Sequence, residues 1–259
     1  MPFVATKTQM HKTRDYIVGD PIKNISLMID RWYYLLDLYW KNELTVAFRD
    51  PVTEKWTKWE SFPGLLIKED KLMPAIDVHR SLLPNEIVIE SDYPTYEENY
   101  EATKVLGPIL ESKGFIPHYY FSGNKSIHTH IFFNWNCLFK LEPIVGQKLY
   151  TKYKGRKTFR GQFIKWIRKK MISCWDTHAK QFDEELINAK HLIRCELSKN
   201  KRGYKTFIGY TWKDLSMIPY LCNESNEIYP QLGKIKLSSP KNITGLVEEF
   251  LDDTERKTQ

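Results

Sequence analysis

The chain is poor in cysteine, with four in 259 residues, and they are scattered. Cys137, Cys174, Cys195 and Cys222 form no Cys-x-x-Cys pair and no Cys/His spacing of the structural-zinc type. This excludes a zinc ribbon and a disulfide framework, and it predicts reduced thiols in an intracellular protein with no structural zinc. Long apolar runs are missing too. No stretch approaches the roughly 20 residues that span a bilayer, and the opening "MPFVATKTQMHKTRDY" has no apolar core of signal-peptide length. The expectation is a soluble protein, cytoplasmic or, in a eukaryote, nuclear, with no membrane partner. Internal repeats and low-complexity linkers are absent.

What is present is apolar and basic. Hydrophobic residues make up 42% of the chain and aromatics 14%, enough to fill a core without covalent staples. The formal charge of +7 and pI near 9.0 favour polyanionic partners: nucleic acid, nucleotides or an acidic membrane surface. Composition does not choose among these.

Residues 22 to 41 carry Met28, Trp32, Leu35, Leu36 and Tyr39 at helical spacing, which predicts an amphipathic helix whose stripe is core. "ELTVAFRD" and "EKWTKWESF" flank an Asp-Pro turn and alternate apolar with polar residues, as a hairpin does. Trp56 and Trp59 there read as packing residues, with base stacking as the alternative. "NEIVIESDYP" reads as a strand closed by Pro94, and Thr95 with Glu98 is a capping-box start for a helix that runs to Gly114 and is kinked at Gly107-Pro108. "FIPHYYF", the turn "SGNKS" and "IHTHIFFNW" then read as two strands around a tight connection.

This order of elements predicts an α+β fold: a small mixed sheet of the RNA-recognition-motif type, covered by helices, with an N-terminal α/β unit. Residues 1–80 form the N-terminal helix and hairpin, 81–240 the core and 241–259 a tail that frays. "HLIRCELSKNKRGYKTFIGY" reads as two extended pieces around a basic turn.

Glu90 and Asp92 stand two apart at the end of "IVIESD", so both side chains project to one face. A sheet offers two carboxylates in this way to one divalent metal, or to a pair of metals roughly 4 Å apart. The turn from Ser122 to Ser126 supplies a hydroxyl, backbone N–H groups made approachable by Gly123, and the Lys125 ammonium, a set that can cradle phosphate oxygens. His128 and His130 share one face of the next strand. If that strand neighbours "IVIESD", histidine and carboxylates line one cleft.

These residues resemble the archaeo-eukaryotic primase superfamily. "IVIESD" is similar to its first motif, "SGNKSIH" to its second, and "FDEELINAKHLIRCELSK" to the third region of the small catalytic primase subunit. The likeness covers about residues 85 to 210, with the three motifs in the family's order. It implies a nucleotidyltransferase, a primase or primase-polymerase, that makes short RNA or DNA primers on single-stranded DNA from NTPs or dNTPs by a two-metal mechanism with Mg²⁺ or Mn²⁺.

By that resemblance Glu90, Asp92 and Asp183 are the metal-binding carboxylates, with Asp176 or Glu184 as alternatives to Asp183. Ser122, Gly123, Lys125 and His128 bind the triphosphate, with Arg194, Ser198 and Asn200 as further nucleotide contacts. His130 shapes the site. Glu90 stands where the family usually has aspartate, and Asn200 where it usually has histidine.

Between 148 and 170 dense Lys/Arg is interleaved with Tyr150, Tyr153, Phe159, Phe163 and Trp166. This is either an exposed helix with an apolar underside or a template track in which Lys152, Lys154, Arg156, Lys157, Arg160, Lys165 and Arg168 meet phosphates. A large primase subunit, a helicase or another replication protein would be further partners. Two rival readings stand beside this one. The first is a rolling-circle nickase using the His-x-His strand and a tyrosine such as Tyr150; the second is a non-catalytic nucleic-acid-binding subunit.

Overall fold

The computed structural model describes residues 16–17, 45–49, 55, 60–61, 77–82, 86–134, 162–163, 165–167, 169–170, 192–196, 200, 202–218, 228–229, 236–239 and 243–256. The predicted helix at 22–41, Trp56 and Trp59 fall outside these residues. The described strands are β1 (Tyr16–Ile17), β2 (Thr45–Arg49), β3 (Glu60–Ser61), β4 (Asp77–Ser81), β5 (Glu86–Glu90), β6 (Pro117–Phe121), β7 (Ile127–Phe133), β8 (Leu192–Arg194), β9 (Thr206–Gly209), β10 (Ile228–Tyr229) and β11 (Leu237–Ser238). Among the helices are α1 (Tyr96–Ser112) and α2 (Ile243–Arg256), with a 3-10 turn at Trp212–Asp214. The class is mixed α/β with largely antiparallel sheets, compatible with α+β.

The centre of the molecule follows from local chemistry. Thr95 accepts from the backbone N–H of Glu98 while the Glu98 carboxylate reaches back to the Thr95 N–H, closing the capping box that starts α1. Tyr96, Asn99, Tyr100, Thr103, Leu106, Gly107 and Leu110 form its buried stripe, spaced by threes and fours. The helix continues through Pro108 to Ser112, and Gly114 with φ 83° takes the left-handed conformation that turns the chain away. Strand β6 then enters.

β7 lies between β5 and β6 and pairs antiparallel with each, so β5 and β6 run parallel with α1 as their crossover. β9 extends the sheet beyond β6, and β11 pairs in parallel with the far end of β7. Every residue of β6 and β7 is buried. Such strands have a cover on both faces, and in β7 the buried set includes the polar His128, Thr129 and His130.

One cover is α1, where Tyr96, Tyr100, Tyr119, Phe121, Ile127 and Leu215 pack together with Ile208 and Trp212. Tyr96 meets Phe121 edge to face at 5.5 Å between ring centroids. Truncating Phe121 to alanine in such a core costs about 3–5 kcal/mol. The second cover is a four-stranded antiparallel sheet in the order β3-β2-β4-β8, which meets the first through Leu82, Val88 and Ile193. Helices were the expected cover; on this face a second sheet stands instead. The predicted hairpin is present as the pairing of Thr45 with Ser61 and Val46 with Glu60. The two extended pieces around the basic turn do form strands, but β8 joins β4 and β9 joins β6, so they belong to different sheets.

The residues after 238 are not a frayed tail throughout. Val247 and Phe250, three apart, give α2 an apolar stripe that packs on Phe163, with Phe250 and Phe163 edge to face at 5.5 Å. Trp166 donates its indole N–H to Asp253 at 2.8 Å, and Lys170 pairs with Glu249. Of the acids that suggested a loose end, Asp252 is exposed and Asp253 is tied to Trp166.

Candidate active site

The antiparallel register sets Glu90, the last residue of β5, directly opposite His128 near the start of β7. Opposed residues of an antiparallel pair point to the same face. Their side chains meet at 3.3 Å between Glu90 Oε1 and His128 Nε2. Asp92 lies two residues further on, past the strand end, and is 61% exposed; its carboxylate is 2.8 Å from the Lys125 ammonium. The two acids and the two bases predicted at this strand end are therefore neighbours, in two cross-linked pairs.

The turn between β6 and β7 is held from inside. Ser122 is buried, and its hydroxyl oxygen accepts from the backbone N–H groups of Ser126 at 3.1 Å and Asn124 at 3.4 Å, while its own N–H donates to the Ser126 carbonyl. Gly123 has φ +81°, and an added Cβ would sit 2.6 Å from the Gly203 carbonyl oxygen. The turn leans on Asn200 and residues 202 to 204: Asn200 donates its amide to the Ser122 carbonyl at 3.1 Å, and the Arg202 N–H donates to the Gly123 carbonyl at 2.9 Å. Arg194, on β8, is half-buried, with His79 of β4 as its register partner.

Burial works to raise the Glu90 carboxyl, but the charge and hydrogen bond of His128, a hydrogen bond from Ser126 and the Lys205 charge outweigh it and bring it down to about 2. His128 is lowered, by burial first and then by the Lys205 and Arg194 charges against the opposing pull of Glu90. At neutral pH the pair is a carboxylate accepting from a neutral imidazole. His128 Nδ1 is buried with no hydrogen-bond partner among the described residues.

Behind this pair lies a buried ionic network that the sequence reading did not identify. Arg80 uses five N–H···O contacts: two to Glu86, two to Glu196 and one to the Ser81 carbonyl. Lys205 donates to Glu196, to the Arg194 carbonyl and to Nε2 of His130. His130 Nδ1 lies 2.6 Å from Glu86 Oε1. An ionised Glu86 only accepts and Lys205 donates, so His130 carries its proton on Nδ1. With His130 neutral the formal charges of Arg80, Lys205, Glu86 and Glu196 cancel. That balance, with the donors matched to acceptors, is what makes such burial tolerable. One signal for it was in the sequence: Glu86, Val88 and Glu90 recur with period two, which puts Glu86 on the face of Glu90. Arg80 of β4, Glu196 after β8 and Lys205 before β9 carried no such mark.

The other predicted site residues fall largely beyond what the structure describes. Asp183, Asp176, Glu184, Ser198, Lys152, Lys154, Arg156, Lys157, Arg160 and Arg168 lie outside the described residues, as do Tyr150, Tyr153 and Phe159. Lys165 is exposed, but Phe163 is buried and Trp166 is engaged with Asp253, so these two aromatics pack the protein interior. Among the described residues no group of three or more His, Cys, Asp or Glu side chains is placed to hold a metal ion. Glu90 and Asp92 still offer the hard oxygen donors that Mg²⁺ and Mn²⁺ take, on a strand end open at Asp92. No helix among the described residues is long and apolar enough to cross a membrane.

No family model matches the chain, and no curated protein matches it. Among solved structures it is similar to the polymerase domain of ligase D from Mycobacterium tuberculosis, a structure in complex with DNA. The identity is 12%, over 80% of this chain and 90% of that one, with a TM-score of 0.39. A likeness at that score decides neither fold nor activity.

Proposed function

We propose that the chain is a primase-polymerase-like nucleotidyltransferase that joins NTPs or dNTPs on a single-stranded DNA template, with an RNA-recognition-motif-like core formed by β5, α1, β6 and β7. The observation that carries this reading is the cross-strand pair Glu90–His128 beside the pair Asp92–Lys125. It joins the two stretches of sequence that resemble the family's first and second motifs. Glu90 and Asp92 would hold Mg²⁺ or Mn²⁺, with Asp183 as the third carboxylate. The metal, when bound, supplies Lewis-acid activation of the attacking hydroxyl and charge stabilisation of the departing pyrophosphate.

The chain's own residues supply position and charge. The Lys125 ammonium, released from Asp92, would meet triphosphate oxygens, and the Arg194 guanidinium would add a second cation. Neutral His128, its Nδ1 unengaged, would donate from Nε2 to a phosphate oxygen once Glu90 turns to its other partner. The hydrogen bonds of Ser122 and Asn200 would hold the turn in shape rather than touch the nucleotide first. No covalent enzyme intermediate is required.

The His-x-His nickase reading is disfavoured by one observation: both ring nitrogens of His130 are engaged, by Glu86 and by Lys205, so the two histidines do not turn free nitrogens to one metal. The deciding experiment is nucleotide incorporation on single-stranded template, with and without a primer, in Mg²⁺ or Mn²⁺. Wild type should form products, and the Glu90→Ala/Asp92→Ala double variant none; Asp92→Ala alone should lose about 10²-fold or more while keeping its fold. His128→Ala should raise the apparent nucleotide KM. A wild type that forms no product and binds no nucleotide would leave the chain a non-catalytic subunit.

A further inference from the structure

We propose that Asn99 is a positioning residue that holds the two halves of the candidate site in register, by tying the strand end after Asp92 to the turn that carries Lys125. Asn99 sits in the first turn of α1 and is fully buried. Its Oδ1 accepts from the Tyr93 N–H at 3.0 Å. Its amide N–H groups are shared among three carbonyls: Tyr93 at 3.0 Å, Thr95 at 2.7 Å and Lys125 at 3.0 Å. Tyr93 follows Asp92 directly, so one side chain grips the backbones of both members of the Asp92–Lys125 pair.

Asparagine is a poor choice for a helix interior, because its side chain competes for backbone groups, and a buried amide is costly when unsatisfied. At this place its bonds leave the helix and go to the loops on either side. The ion pair itself cannot do the positioning. Asp92 is 61% exposed and Lys125 33%, and exposed pairs of that kind contribute little. The buried amide is what fixes where the two charged side chains start from.

The functional consequence rests on the nucleotidyltransferase reading, whereas the structural one does not, so two readouts are needed. The variants are Asn99→Asp, which is near-isosteric and keeps the acceptor for Tyr93 but loses both donors, and Asn99→Ser, the milder cut. Leu110→Ala, a buried truncation further along the same helix, is the control for general loss of stability. The first readout is hydrogen exchange of amides 122–126 in the ligand-free protein, at a temperature set equally far below each variant's Tm. Exchange there should rise about tenfold in the Asn99 variants over the control.

The second readout is the Kd of a fluorescent nucleoside triphosphate with Mn²⁺, set against the Kd of single-stranded DNA. Nucleotide affinity should fall about tenfold in the Asn99 variants and DNA affinity should not change. Exchange at 122–126 that rises no more than in Leu110→Ala overturns the proposal. If wild type binds no nucleotide while the exchange result holds, Asn99 still positions the pair and the functional reading is what fails.

Discussion

Lys205, immediately before β9, donates an N–H of its side-chain nitrogen to Nε2 of His130 on β7 at 3.1 Å, inside a region with no exposed surface. A cation facing an imidazole forbids a second proton on it. Burial first, and the Lys205 charge second, hold His130 down to about 3 against the opposing pull of Glu86 and Glu196.

This sets how stability depends on pH. Below about 6.5 the unfolded chain takes up a proton on His130 that the native protein refuses. Stability therefore falls as pH drops from about 6.5 to about 3, by about 1.4 kcal/mol per pH unit for this group. His128, also lowered, adds a contribution of the same sign. His130→Asn keeps a donor for Glu86 and does not titrate. Urea unfolding between pH 7 and 5 should show a steeper decline for wild type than for His130→Asn; parallel slopes would mean that His130 is protonated in the native state.

Lysines 205 and 125 should behave oppositely on removal. Lys205→Met withdraws one of the two cations from the buried Glu86/Glu196 pair and leaves His130 Nε2 without its donor, at a cost of about 3–5 kcal/mol. Lys125→Ala breaks a pair that water screens and should change stability by no more than about 1 kcal/mol. Urea midpoints of the two variants are the check. Similar midpoints would show that the interior network is far less stabilising than its geometry indicates.

Gly123→Ala should disturb the turn more than its size suggests. The left-handed backbone costs a side chain about 1–2 kcal/mol, and the new Cβ would stand 2.6 Å from a carbonyl oxygen that the neighbouring turn holds in place. A drop in Tm with loosened exchange at residues 122–126 is expected. An unchanged Tm would mean that Asn200, Gly203 and Tyr204 yield easily, and that the turn has more freedom than its contacts imply.

The helix α1, with its Thr95–Glu98 cap and its glycine exit, was readable because every signal for it is local. So were β5, β6, β7 and the turn Ser122–Ser126, whose residue types state their conformation. The frayed tail was a misjudgement of another kind. The acidic end of α2 looked solvated, and only the packing of Phe250 on Phe163 reveals that its other side is covered. Asn99 gave no warning either, since an asparagine four residues after a cap reads as a weak helix former until its partners at Tyr93 and Lys125 are seen.

By itself the sequence determined which chemical groups stand at the strand end and the turn, because spacing of two along a strand fixes a shared face whatever the fold. It also supplied the apolar and aromatic residues that pack around α1, β6 and β7. What only the tertiary structure decided is pairing at a distance. β7 passes between β5 and β6, so that Glu90 meets His128; β4 and the residues after β8 bring Arg80 and Glu196 to Glu86; and Lys205, just before β9, meets His130. Apart from Arg80 and Glu86, six residues from each other, these contacts join residues far apart in the chain. Their energy comes from charges that are tolerable in the interior only when every partner arrives together, and no window of sequence contains all the partners.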